Sequence, residues 1–263
     1  MTLQQVIMDD VINIHHSIPS PHTVDTGFPM AFMDGTYITA IRTAAASGVG
    51  AKFLARKDSE VLTIIGTGVQ GKYNALCLTH ILPSIKTIRI FDKWEPSLKS
   101  FQETIGSVVG SKITIEVAKT VEEAITGSDV IVTATGKLLE PIFSDEWVKP
   151  GALVLPVHSG GWNKDILTKM DKVVTDDWDQ FSTFTKAIYS PMPDSYTELS
   201  DIVTGKKPGR ENDQERIIDF NVGLAIHDIV VGTRVLEKAK ERGLGTELEL
   251  MDLSVPIPLP PVV

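Results

Sequence analysis

The six residues Gly66-Thr67-Gly68-Val69-Gln70-Gly71 constrain this chain more than any other stretch. They match G-x-G-x-x-G and stand between a β-branched run, VLTII (61–65), and a helix-prone run, KYNALCLTHIL (72–82). The first glycine permits a tight turn, the second lets backbone approach a pyrophosphate, and the third lets helix and strand pack closely. The N–H groups and positive dipole end of the helix then face the phosphates. Asp92 closes the next strand, TIRIF (87–91), where such units carry an acid for the adenosine ribose 2′-hydroxyl. That carboxylate repels the extra phosphate of NADP, so NAD is the expected cofactor and NADP the lesser one. Thr67, Val69 and Gln70 in the loop and Lys93 beside Asp92 are counted with the cofactor-binding residues.

The alternation continues beyond these two strands. The segment after Pro96 reads as helix, KITIEV (112–117) as strand, VEEAI as a short helix and DVIVTA (129–134) as strand. ALVLPV (152–157), a helical piece around DILTKM, and KVVTD (172–176) complete the series. Short, nearly all-apolar strands separated by helices predict a parallel sheet covered on both faces. The expected architecture is therefore α/β: a Rossmann-type dinucleotide-binding domain over 57–180, and a smaller discontinuous substrate and dimerisation domain from 1–56 and 181–263. In the latter, TYITAIRTAAASGVGAKFLAR (36–56) predicts a helix, with Gly48 and Gly50 placed where another backbone comes close. A second long helix is expected at about 223–242, ended by Gly243. Residues 1–35 and 180–216 read as largely irregular, with a short helix at YTELSDIV, and the tail SVPIPLPPVV as extended and packed.

Composition narrows the function classes. Asp and Glu outnumber Lys and Arg by 34 to 25, a formal charge of −9, with no basic patch for nucleic acid or anionic lipid. The single cysteine, Cys77, forms no internal disulfide and suits a reducing compartment. With acids near the N-terminus and no apolar run of membrane-spanning length, the expected location is cytoplasmic. The six histidines offer no metal-ligand spacing, so no metal is expected.

Other residues carry chemistry by position. VTATG (132–136) leaves a strand at the end where open α/β sheets bind ligands, placing Thr133, Ala134 and Thr135 toward a nicotinamide or, equally, in a plain turn. Gly223 is grouped with them as cofactor-binding. Arg42 lies in a small, apolar helical stretch, suited to a substrate carboxylate or to a structural ion pair with an acid such as Asp34. His158, after the fifth strand, is either a general acid/base or a half-buried histidine bonded to backbone. Cys77, His80 and His227 read as packing or helix-surface residues.

In order along the chain, TGFPMAFMDGTYITAIRTAAASGVGAKFLAR (26–56), EVLTIIGTGVQG, SDVIVTATG, EWVKPGALVLPV, KVVTDDWDQ and IVTGKKPGR…GLAIHDI resemble the ornithine cyclodeaminase/mu-crystallin family. The resemblance implies a homodimeric NAD(P)(H) protein acting on a small amino or imino acid. It gives Arg42 the substrate carboxylate, and the glycine loop and Asp92 the cofactor. The reaction it implies is amino-acid dehydrogenation or ketimine reduction, with ornithine cyclodeamination and a non-catalytic NAD(P)H-binding role as alternatives. Two departures bear on that choice. The family's N-terminal lysine and second arginine precede the region matched here. Where cyclodeaminases place a catalytic aspartate this chain reads VHSGGW, leaving His158 as the nearby titratable group.

Overall fold

The computed structural model describes residues 30–247, apart from Lys137, Leu139 and Ser159. The readings of the first 29 residues and of the C-terminal tail lie outside that range.

Helix α1 (Thr36–Leu54) leads into strand β1 (Val61–Ile65), and the glycine loop then opens α2 (Val69–Ile81). There follow β2 (Thr87–Phe91), α3 (Glu95–Val109), β3 (Thr114–Val117), α4 (Val121–Ile125) and β4 (Val130–Thr133). Strand β5 (Leu153–Pro156), α5 (Ile166–Lys169), β6 (Lys172–Thr175) and α6 (Trp178–Thr185) come next. The series ends with β7 (Thr197–Glu198), α7 (Leu199–Val203), β8 (Ile217–Phe220) and α8 (Ala225–Glu241). All pairings are parallel, in the order β3-β2-β1-β4-β5-β8-β6-β7.

The expected strands and their helical connections are all present. The sheet also extends beyond residue 180: β8 is wedged between β5 and β6, pairing Leu153 with Ile217 and Val173 with Ile218, and β7 forms the edge. The stretch read as irregular thus supplies β7, β8 follows directly after it, and α6 runs into its beginning. Asp177 starts α6 by accepting a hydrogen bond from the Gln180 N–H at 2.7 Å.

Side chains alternate across the sheet and divide the core in two. Leu62, Ile64, Val130, Val132, Leu153 and Leu155 pack under α1, α2 and α3 with Leu54, Leu78 and Phe101. Ile65, Ile131, Val154 and Ile218 face the other side, with Trp162, Phe181 and Tyr189. The glycines of α1 are explained by side chains, not by the backbone approach expected from sequence. A Cβ at Gly48 would stand 2.6 Å from the Cys77 sulfur, and one at Gly50 would overlap the Asp219 carboxylate.

Strand order reverses at β1, with β2 on one side and β4 on the other. In open parallel sheets the ligand crevice lies at that reversal, beyond the carboxyl ends of the strands. The glycine loop, the β4 exit at Ala134–Thr135 and the β5 exit at His158 all sit at that end.

Candidate active site

The three loop glycines have three different surroundings. Gly66 has φ +94°, and a Cβ there would stand 2.5 Å from the Ala134 carbonyl oxygen, so the β1 and β4 exits touch. A Cβ at Gly71 would overlap the Gly66 carbonyl oxygen, so helix and turn are packed against each other. At Gly68 a Cβ would meet nothing within 4 Å among the described residues. Internal packing therefore requires the first and third glycines, while the second faces free space at the amino end of α2. This is the arrangement a pyrophosphate needs.

Asp92 is held from three sides. Its Oδ2 accepts from the Thr67 N–H at 2.8 Å and the Thr67 hydroxyl at 2.9 Å, and its Oδ1 accepts from the Trp94 N–H at 3.0 Å. The acid at the end of β2 is thereby tied to the glycine loop after β1. A nicotinamide dinucleotide fits these residues.

The β4 and β5 exits differ in character. Thr133 is fully buried, and its hydroxyl accepts the Trp162 indole N–H at 3.4 Å. Thr135 Oγ1 is buried with no hydrogen-bond partner among the described residues. His158 packs on Phe143, with ring centroids 5.8 Å apart, and its Nδ1 accepts the Gly160 N–H at 3.3 Å. Its Nε2 is buried without a partner among the described residues. Desolvation pushes the imidazole down to about 4, so it is neutral near pH 7, accepting at Nδ1 and carrying the proton on Nε2.

Arg42 does not pair with Asp34, whose Oδ1 accepts the Thr36 N–H at 2.8 Å. Its Nε lies 3.2 Å from Asp228 Oδ1 on α8, an ion pair without hydrogen-bond alignment. The far end of the guanidinium lies against Gly223, where a Cβ would overlap Nη1. Gly223 has φ +102° and donates its N–H to Asp176 Oδ2 at 2.6 Å. Arg42 and Asp176 line a cavity of about 330 Å³ whose other walls are mostly apolar, among them Ala46, Val49, Leu199 and Val230. Ser200 and His227 are its remaining polar lining residues.

Four acids and amides here were not singled out from sequence: Asp176, Asp219, Asn221 and Asp228. Asp219 is 1% exposed, accepts the Asn221 side-chain N–H at 3.0 Å on Oδ2, and has no partner on Oδ1 among the described residues. Burial, with Asp176 nearby, pushes it up to about 7. An acid interrupting an apolar strand was the available signal. Asp228 gave none, because a charged residue early in a surface helix is ordinary.

The model of the ornithine cyclodeaminase/mu-crystallin family matches residues 11–243. The chain belongs to this family. Among curated relatives of this family member, nodulation efficiency protein NfeD of Rhizobium meliloti is 40% identical over 225 residues, 84% of this chain and 69% of that protein. Among solved structures, Δ1-pyrroline-2-carboxylate reductase of Thermococcus litoralis in complex with NADH and L-proline has TM-score 0.75 and 33% identity. The match covers 85% of this chain and 72% of that one. An archaeal alanine dehydrogenase dimer with bound NAD has TM-score 0.76 and 31% identity, covering 87% and 72% respectively.

Proposed function

We propose that this family member is an NAD-dependent oxidoreductase acting at the C–N bond of a small amino or imino acid. The observation that carries the reading is the free space at Gly68, bounded by the packed Gly66 and Gly71 and joined through Thr67 to the Asp92 carboxylate. The solved relatives that hold NADH with L-proline, or NAD, support it. The nicotinamide ring supplies the hydride chemistry when the cofactor is bound.

The rest falls to this chain's residues. Arg42 holds the substrate carboxylate with its terminal nitrogens while Asp228 holds its Nε edge. The apolar walls beside it suit the substrate's carbon side. His158, neutral at working pH, serves as hydrogen-bond partner and proton relay at Nε2. Thr135 offers its unpartnered hydroxyl toward the nicotinamide side.

The reading extends to a homodimer, supported by the exposed apolar residues Tyr37, Ile41, Ile226 and Val230 on α1 and α8. It also extends to a cytoplasmic location, supported by the single cysteine. Among the described residues no helix is long and apolar enough to cross a membrane.

The test follows NADH formation with a panel of L-amino acids, and its consumption with cyclic imines and with 2-keto acids plus ammonia. Turnover in either direction is expected. Tight NADH binding with no turnover on any panel member would overturn the reaction and leave a binding protein.

A further inference from the structure

We propose that Thr67 is a positioning residue for cofactor choice: it locks the Asp92 carboxylate so that the site accepts the ribose 2′-hydroxyl of NAD and rejects the 2′-phosphate of NADP. The inference rests on the cofactor reading above and adds a residue that the glycine pattern leaves unspecified.

The hydrogen-bond accounting argues for it. Thr67 is fully buried, so its hydroxyl must find its partners inside the protein. Two oxygens lie in reach, Asp92 Oδ2 and Ser97 Oγ, each at 2.9 Å. A hydroxyl has one proton, and an ionised carboxylate can only accept. The Thr67 hydroxyl is thus placed to donate to either acceptor, and the charged Asp92 carboxylate is the stronger of the two. Thr67 thereby ties the glycine loop to α3 on one side and to the end of β2 on the other.

Asp92 now accepts from Thr67 N–H, Thr67 O–H and Trp94 N–H. A carboxylate has about four acceptor positions. The one left over, on Oδ1, suits a single sugar hydroxyl, and the anchored negative charge cannot swing away from a phosphate. A carboxylate free to rotate would do both jobs less well. Fixing a charged group in place by hydrogen bonds that already exist before binding also lowers the ordering cost of the complex.

Calorimetric titration of the full chain with NADH and with NADPH measures the ratio of the two dissociation constants. Thr67→Val keeps the shape and removes the hydroxyl; it is expected to lower the NADPH-to-NADH ratio by about tenfold, the size of one charge-assisted hydrogen bond. Thr67→Ser restores the hydroxyl and is expected to restore the ratio. In an Asp92→Asn background, Thr67→Val is expected to change the ratio no further, since the lock then has no carboxylate to hold.

A Thr67→Val protein that weakens both cofactors equally would overturn the positioning role and leave the cofactor reading standing, as would a full effect persisting in the Asp92→Asn background. If Thr67→Val does not fold, Thr67→Ser and the Asp92→Asn pair still decide it: loss of discrimination in Thr67→Ser overturns the proposal. Wild-type protein that titrates with neither cofactor would remove the cofactor reading itself and the proposal with it.

Discussion

Asp228 on α8 grips the Nε edge of Arg42 on α1, at 3.2 Å, and leaves the fork end of the guanidinium against Gly223. Both side chains are about one-fifth exposed, 20% and 19%, so the pair is neither fully screened nor sealed. If the fork holds a substrate carboxylate, Arg42→Ala removes charge-assisted hydrogen bonds worth about 1.5–3 kcal/mol. KM is then expected to rise about 10- to 100-fold, with NADH affinity unchanged. Asp228→Asn, which loosens the grip but keeps the fork, is expected to raise KM by a smaller factor. Steady-state kinetics beside NADH titration checks both. An equal collapse of NADH affinity in Arg42→Ala would make the arginine structural.

The glycine loop makes a second prediction, because its members fail differently. Gly71→Ala places a methyl group on the Gly66 carbonyl, and Gly66→Ala adds a positive φ to a clash with Ala134. Both are expected to lower the thermal midpoint, by about 1–3 kcal/mol of stability. Gly68→Ala meets nothing within 4 Å and is expected to fold like wild type while losing NADH affinity. Thermal melts beside titrations separate the two outcomes, and a stable Gly68→Ala protein with wild-type affinity would contradict the loop's role.

That difference also shows how far the sequence could be read. The loop, Asp92 and the short apolar strands β1, β2, β4 and β5 carry their signals within a few residues, so local patterning was enough. Strand β8 was not legible in this way. IIDF places an acid in a strand buried at every position, and follows the charged stretch RENDQER. Its strand state is decided by β5 and β6, which lie on either side of it. Arg42 was legible as a residue needing a partner, but its partner sits on the last helix, and nothing local distinguishes Asp228 from other acids.

His158 has an acid-side signature. Its imidazole, pushed down to about 4 by burial, stays neutral in the fold while the unfolded chain takes up a proton near 6.5. Between those values the unfolded state holds the extra proton, so stability is lost as pH falls through that window. His158→Gln removes the titration and is expected to flatten this loss, measured as the urea midpoint from pH 7 to pH 4. An unchanged slope would show that the ring is solvated.

Asp219 pulls in the opposite direction. Its carboxyl, pushed up to about 7 by burial and by Asp176, holds a proton in the fold that the unfolded chain releases near its ordinary value of 3.8. Stability contributed by the protonated form is therefore lost as pH rises from about 4 through about 7, and the loss is complete above that. Over most of this window the His158 slope has the other sign, so wild-type protein is expected to show a shallow pH dependence that neither residue alone would give. Asp219→Asn keeps the shape and an acceptor for Asn221 but cannot ionise. At pH 8 it is expected to gain on the order of 4 kcal/mol over wild type, with the gain shrinking toward pH 4. Gly50→Ala is expected to destabilise at every pH, because its methyl group overlaps the Asp219 carboxylate whether or not it is charged. A pH-dependent penalty in Gly50→Ala, or no gain at pH 8 in Asp219→Asn, would mean that the carboxylate reaches water in solution.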